Sequence, residues 1–461
     1  MSPKKNYEHE SLQVWYGSAP TSADPIDFDI TSNHIAFRSV FATLVTEAKP
    51  NAIVGELAES WSASNNFKNW VFKIRPNLYF DNGEALTVEH ILASFNRIIL
   101  LSKKNKSKGS FTEKIEKLYV KNNELIFKLK QPEKKLLQQL SFGIYGVTHP
   151  SLFSEKTGNW AAKKIIASGP YSVDSWDKNS FVLRFRQDSG IPHAEKVFPI
   201  IKYVWNRDLK AKSDLILGLE VDGSLKKTHS FLGGQTIMYY LHCYSWKKRG
   251  GVLKSLSNRR ALREALYKEY EKNGVKIIKS FFPLKISGMR LIDEDESFKK
   301  VNINASVLNT RPYPTTSFLK QYSLYNSTIK GAFAQNGVMV GVKSISDDKE
   351  FVLVNPNRSK YDIDIGILGT SILIGDPLQD IRFMFLSKEG IQLPDSNGTI
   401  KKELAKQKPD LQKINQFIWD QAIIWPLSHI MRGVWTSEKV SLKKFNLLQA
   451  PAFEFQWVES K

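Results

Sequence analysis

The sequence is short of most of what catalysis or membrane insertion requires. It has one cysteine, Cys243, so no disulfide can form within the chain. That thiol lies in an apolar and aromatic run, the setting of a buried structural cysteine; a nucleophile wants a basic neighbourhood. No apolar run approaches the ~20 residues a membrane-spanning helix needs. The histidines stand at 9, 34, 90, 149, 193, 229, 242 and 429 and form neither HxxxH nor HExxH, so no resident metal or other cofactor is expected. GxSxG, Walker A and GxGxxG patterns are missing as well. The acidic pairs Asp347-Asp348 and Asp362/Asp364 fall at strand ends and turns, where acids are common, and an enzyme is not expected.

The charge is large but dispersed. With 66 Lys and Arg against 46 Asp and Glu the formal charge is +20. Lysines come singly or in pairs (Lys103-Lys104, Lys134-Lys135, Lys299-Lys300, Lys401-Lys402), without a helix-turn-helix or zinc-finger pattern. This describes a basic, solvated surface with no nucleic-acid partner and at most a peripheral attraction to an anionic bilayer. What the chain has in quantity is core material: 461 residues, 42% hydrophobic and 12% aromatic, suffice for about three domains of ordinary size.

The most structured stretch runs from Leu57 to Ile99. Trp70, Phe72 and Ile74 alternate with Val71, Lys73 and Arg75, the period of a strand with one buried face. Pro76-Asn77 stops it, and Leu78-Tyr79-Phe80 predicts a second strand ending at Asp81-Asn82-Gly83. Thr87 is placed as an N-cap, after which Ile91, Leu92, Phe95, Ile98 and Ile99 recur at helical spacing.

In this β-β-α unit Leu57-Ala58-Glu59-Ser60-Trp61, Phe72-Lys73-Ile74-Arg75, Phe80-Asp81-Asn82-Gly83, Leu86-Thr87 and Ser94 match in register a segment of another group. The chain resembles the family 5 extracellular solute-binding proteins, the receptors of ABC importers for peptides, nickel complexes and related solutes. Further matches are Asp24-Pro25, the Ser168-Gly169-Pro170-Tyr171 turn with Val173 and Trp176, and Gly218-Leu219-Glu220-Val221-Asp222, expected at a helix end. Tyr239 to Trp246, the helix from Asn258 to Leu266, Pro283, Phe333 to Val340, Tyr361 to Ile365 and Trp425 to His429 continue the resemblance nearly end to end. Local pattern adds a helix from Ser32 through Leu44, strands at 117–120 and 125–129, and a helix over 132–140. It also has Tyr171 open a strand running on to Phe185, and a helix over 411–424.

The resemblance implies an α/β fold of the periplasmic binding protein-like II type. Two lobes are joined by a two-strand hinge near Tyr244 and Trp425, with an extra α/β subdomain inserted in lobe I. The implied boundaries are 1–49, 50–164 (the inserted subdomain), 165–250 and 426–461 for lobe I, and 251–425 for lobe II. It also implies a monomer outside the cytoplasm that closes its lobes on a small solute, such as a short peptide, and presents it to an ABC permease. The opening MSPKKNYEHE carries no apolar signal-peptide core, so a leader is expected to have been removed.

The implied ligand contacts are Ser22, Asn33 and His34 from the first loop and helix start, and Tyr240, His242 and Tyr244 from the first crossing strand. Leu368, Thr370, Ser371 and Asp376, after the third matching strand, complete them. Alternation puts Tyr240, His242, Tyr244 and Trp246 on one face. In a cleft that face would narrow the pocket and add stacking surfaces; in a core it would be packing. Leu368 and Ser371 stand where peptide-binding members carry a Trp and the Asp that pairs with a peptide's ammonium group, with Asp376 as the available substitute. These departures keep open a second class of function: an interaction or regulatory protein with the same fold and a repurposed or lost pocket.

Overall fold

Alternating and helical patterns turn into elements in chain order. In a computed structural model, residues 11–28, 31–49, 52–104, 110–162, 164–220, 222–243, 251–282, 303, 306–310, 325–342, 364–371, 378–386, 393–395, 397–406, 408–447 and 453–461 are described. The chain divides into two compact units. Unit 1 comprises Met1–Gly218, Gly223–Gly234 and Gly433–Lys461; unit 2 comprises Leu219–Asp222 and Gln235–Arg432.

Unit 1 opens with β1 (Ser11–Trp15), α1 (Thr31–Phe37), β2 (Val45–Lys49) and β3 (Ala52–Gly55). An antiparallel sheet follows, built from β4 (Ala58–Ser64), β5 (Asn69–Ile74), β6 (Ile115–Lys121) and β7 (Glu124–Leu129) in the order β4-β5-β7-β6. The helix α2 (Val88–Lys104) lies between β5 and β6 in sequence. Trp70, Phe72 and Ile74 point inward from β5, as do Leu125, Phe127 and Leu129 from β7, and Ile91, Phe95 and Ile98 of α2 share their core. The rings of Phe95 and Phe72 meet Phe127 edge-on at 5.3 and 5.5 Å. Burial of these aromatic faces supplies the driving force for this subdomain. After α3 (Leu136–Leu140), β8 (Tyr171–Trp176), β9 (Ser180–Phe185), β10 (Ile200–Val204) and β11 (Leu215–Leu219) form with β1 the strand order β11-β1-β10-β9-β8. Here β1 is parallel to both β10 and β11, while β9 is antiparallel to β8 and β10.

Unit 2 is entered along β12 (Ser230–Cys243) and contains α4 (Leu256–Lys272), β13 (Ser306–Thr310), α5 (Tyr325–Ala334), β14 (Val338–Val342) and β15 (Ile365–Ser371). It continues through α6 (Gln379–Phe385), α7 (Thr399–Leu404) and α8 (Leu411–Gln421) and is left along β16 (Ile424–Thr436). Back in unit 1, the pair β17 (Val440–Ser441) and β18 (Glu459–Ser460) ends the chain. The strand order in unit 2 is β14-β13-β15-β12-β16. Leu241, Cys243, Leu262, Leu266, Tyr267, Phe333 and Trp425 pack together in its main core.

Several local expectations shift, each for a visible reason. The helix begun at Ser32 stops at Phe37 instead of reaching Leu44, because Ser39 and Val40 give their carbonyls to Tyr171 and Gly169 at 3.1 and 2.8 Å. The strand expected from Tyr171 to Phe185 is a hairpin: Asp177 Oδ1 accepts from the backbone N–H of Asn179 and Ser180 and turns the chain. Residues 215–219 are a strand and no helix end, since Leu215 and Ile216 pair with Val14 and Trp15 of β1. Leu78–Phe80 yields a single bridge, Tyr79 to Ala85. The helix placed at 132–140 begins at Leu136, and the one placed at 411–424 ends at Gln421, where Ala422 takes a left-handed φ of 46°.

Two features hold the termini of these elements. Three arginines of α4 reach the C-terminal carbonyls of α8: Arg263 Nη1 donates to Trp419 O at 2.6 Å, Arg260 to Asp420 O at 2.8 Å and Arg259 to Gln421 O at 2.9 Å. Trp419 O also accepts from the Ala422 N–H at 3.0 Å, and cations suit that end of the helix dipole. In unit 1, Arg38 is buried between Glu56 (2.9 Å) and Glu454 (2.6 Å). Thr43 adds its N–H and hydroxyl to Glu56 at 2.9 and 2.7 Å.

Arg38→Met should therefore lower stability by about 3–5 kcal/mol, because it leaves two buried carboxylates without their cation. Glu454→Gln should cost far less, since burial already pushes that carboxyl toward its neutral form. Urea unfolding of both variants, followed by tryptophan fluorescence, checks the ranking. A second test is Gly433→Ala. A Cβ there would sit 1.9 Å from the carbonyl oxygen of Leu232, so the backbone must move, and the melting temperature should fall by several degrees.

Candidate functional site

The loop from Gly17 to Pro25 and the start of α1 bring Ser22, Asn33 and His34 together, and the polar atoms of the first two are turned onto the loop itself. Asn33 Oδ1 accepts from the N–H of Thr21 (2.7 Å) and Ser22 (3.1 Å), and its Nδ2 donates to Asp27 O. Ser22 Oγ donates to Asp27 Oδ2 at 2.8 Å and accepts from Asp24 N. Asp24 in turn holds Arg97 of α2 in a two-pronged, buried ion pair. The Arg97 guanidinium lies over Phe153 and Trp160, 5.1 and 5.6 Å from the ring centroids. His34 is buried, stacked on Phe28 at 5.7 Å. Burial and the adjacent Arg38 charge push its pKa down to about 3, so the ring is neutral at physiological pH.

In unit 2 the antiparallel register of β12 and β15 pairs Tyr240 with Leu368, His242 with Gly366 and Met238 with Thr370. Positions 238, 240, 242, 366, 368 and 370 thus share one face of the strand pair. Ile237 pairs with Ser371, and that pair falls on the opposite face with Leu241, Cys243 and Ile365. Leu241, Cys243 and Ile365 are wholly buried there. His242 is fully buried on the first face. Burial pushes the Cys243 thiol up to about 12, which makes it an inert packing group. Tyr244, Trp246 and Asp376 lie outside the described residues. On β16, His429 donates from Nε2 to Ser280 O at 2.9 Å, and burial lowers its pKa to about 4.

A cluster that no sequence spacing announced stands at the edge of the β4–β7 subdomain. Glu84, His90 and His149 offer three ligand-type atoms within 4.8 Å of one another. They are separated by 65 residues between Glu84 and His149, so only the fold brings them together. The nearest local signal is His90 in the first turn after Thr87, where its Nδ1 accepts from the Thr87 N–H at 3.1 Å.

The strand order and the division into two units are those of an α/β fold with two lobes, the type expected for a periplasmic binding protein-like architecture. Residues 52–197 match the family model "Bacterial extracellular solute-binding proteins, family 5 Middle". That match takes in β3 through β9, all within unit 1. Among curated relatives, the probable D,D-dipeptide-binding periplasmic protein DdpA of Escherichia coli is 27% identical over 130 residues, covering 27% of this chain and 25% of that protein. The glutathione-binding protein GsiB of Escherichia coli is 26% identical over 178 residues, 38% of this chain and 34% of that protein. The matches thus span about a quarter to a third of the length of these relatives. Solved structures align over nearly the whole chain. The periplasmic binding protein DppA from Helicobacter pylori in complex with peptide STSA gives a TM-score of 0.72 at 17% identity, covering 98% of each chain. A Pseudoalteromonas dipeptide-binding protein in complex with Met-Leu gives 0.73 at 15% identity, covering 98% of this chain and 100% of that one. NikA from Brucella suis with Fe(III)-EDTA gives 0.72 at 16% identity, with the same coverage. At these identities the likeness establishes the fold.

His34 and His429 give a pH test. Their folded pKa values, about 3 for His34 and about 4 for His429, lie below the unfolded value of 6.5. Their contribution is therefore complete above about pH 6.5 and is lost as pH falls toward 4, at up to ~1.4 kcal/mol per pH unit for each group. Melting temperatures measured from pH 7.5 down to 4.5 should decline, and His34→Leu should decline less steeply than the wild type.

Proposed function

We propose that this protein is an extracytoplasmic solute-binding receptor of an ABC importer, and that it captures a peptide or peptide-like solute by hinge closure. The observation that carries this reading is the full-length agreement of its fold with receptors caught in complex with the peptide STSA and with Met-Leu. The family 5 match over residues 52–197 and the relatives named for D,D-dipeptide and glutathione binding point the same way. The lobes correspond to 1–49, 50–164, 165–250 and 426–461 on one side and 251–425 on the other. The partners are a small solute and a permease, and the working form is a monomer. Ligand contacts are assigned to Ser22, Asn33, His34, Tyr240, His242, Tyr244, Leu368, Thr370, Ser371 and Asp376.

The mechanism follows from linkage. A solute that binds the closed arrangement better than the open one shifts the population toward closure by that difference in affinity, and no other source of energy is needed. Backbone groups suit peptide recognition, because a peptide's own amides can be matched without a dedicated charged side chain.

Mass spectrometry of the protein purified under native conditions should reveal a small co-purifying solute. Peptides of two to five residues, screened by thermal shift, should then stabilise the protein by about 2.7 kcal/mol at a ligand concentration a hundred times Kd. If no solute co-purifies and no peptide or chelate raises the melting temperature, the receptor reading fails and an interaction protein on the same fold takes its place.

A further inference from the structure

Outside every residue assigned to solute binding, one cluster in unit 1 has the chemistry of a cation site. Glu84 follows the Gly83 turn, His90 occupies the first turn of α2, and His149 precedes the short helical turn Pro150–Leu152. His149 Nε2 lies 2.9 Å from Glu84 Oε2, and His90 Nε2 lies 3.2 Å from Glu84 Oε1. Ligand atoms of a tetrahedral zinc ion, bound at 2.0–2.1 Å, stand about 3.3 Å apart. The carboxylate-to-imidazole distances are already close to that spacing.

The two rings are held in place before any ion arrives. They stack on each other at 5.7 Å, and both stand edge to face against the buried Phe80 at 5.2 and 4.9 Å. Each Nδ1 faces a hydroxyl, His149 toward Ser151 Oγ at 2.7 Å and His90 toward Thr87 Oγ1 at 3.3 Å. A ligating histidine carries its proton on the nitrogen away from the ion and needs an acceptor for it, and these hydroxyls supply one. The same Nδ1 atoms also accept from the backbone N–H of Thr87 and Ser151, at 3.1 and 3.2 Å. Loading an ion at Nε2 therefore moves each ring's proton from Nε2 to Nδ1 and exchanges a backbone bond for a hydroxyl bond. Glu84 is about half exposed, which leaves a path for the ion and room for water to complete its shell.

We infer that Glu84, His90 and His149 form a binding site for a divalent transition-metal ion of the zinc class. Imidazole is a borderline ligand, and two of them beside one carboxylate suit zinc, copper and nickel over magnesium and calcium. Bound there, the ion joins the Gly83 turn, α2 and the segment at His149 into one cross-linked corner of the subdomain.

The test uses the full chain with any affinity tag removed, stripped with EDTA and titrated with zinc chloride near neutral pH by calorimetry. One saturable site and a zinc-dependent rise in melting temperature that EDTA reverses are expected. Glu84→Gln and His90→Gln should abolish both effects, and Ser151→Ala should weaken binding by roughly tenfold or more. Glu84 is partly exposed, so Glu84→Gln should keep the wild-type circular dichroism spectrum and separate loss of the site from loss of the fold. Absence of saturable binding, or binding that Glu84→Gln and His90→Gln leave unchanged, overturns the inference and reduces the cluster to a hydrogen-bonded brace.

Discussion

Unit 1 depends on a guanidinium that water does not reach. Arg38 leaves the end of α1 and meets Glu56, just ahead of β4, and Glu454, near the chain's end. Residues far apart in sequence are thereby committed to one point. A charge so placed is costly to desolvate and is tolerable only because its partners and their own donors are all in position. Ser39 extends the network, donating to Gln456 Oε1 and accepting from the Phe455 N–H. The C-terminal segment cannot leave without stranding Arg38, so the return of the chain from unit 2 is written into the integrity of unit 1. At the second carboxylate two effects oppose each other: burial raises Glu454 toward neutrality while the Arg38 charge pulls it back.

Unit 2 solves a different problem with the same residue type. The closely spaced arginines at 259, 260 and 263 look like surface charge in the sequence, yet Arg259 and Arg263 are buried and all three serve the end of α8. The Arg263 guanidinium lies 3.6 Å from the centroid of the Trp419 ring, which desolvates it while offering a cation–π contact. This junction fixes where α8 ends and β16 starts, and so where the chain begins its path back to unit 1. At the end of that path Gly433 passes so near Leu232 O that no side chain is admitted. Both boundaries between the units on these strands fall beside glycine, Gly234 and Gly433.

Much of the fold was legible in the sequence, and the reason is period. β5 and α2 declare themselves because one buried face imposes spacings of two and of three to four on apolar residues. Cys243, in an apolar run, lies in the unit 2 core for the same reason. The errors cluster where a distant strand competes for backbone. Nothing local says that Ser39 and Val40 would rather pair with residues 169–171 than continue α1. A run such as Leu215–Leu217, buried throughout, has no alternation to mark it as the strand beside β1. For the residues expected to contact a solute, resemblance supplied positions, and the register of β12 on β15 then divided them, with Leu368 and Thr370 on one face and Ser371 on the other.

The amino-acid sequence by itself determined the class of fold, the elements with clean periodicity and the family pattern through Leu57 to Ser94, because these depend on neighbours a few residues apart. Only the tertiary structure decided which charges are buried and which polar groups meet. Arg38 with Glu454, Asp24 with Arg97, and Glu84 with His149 are joined by chain paths that no local rule encodes. An interaction between side chains falls off within a few ångströms, whereas their separation in sequence places no bound on how near the folded chain will bring them.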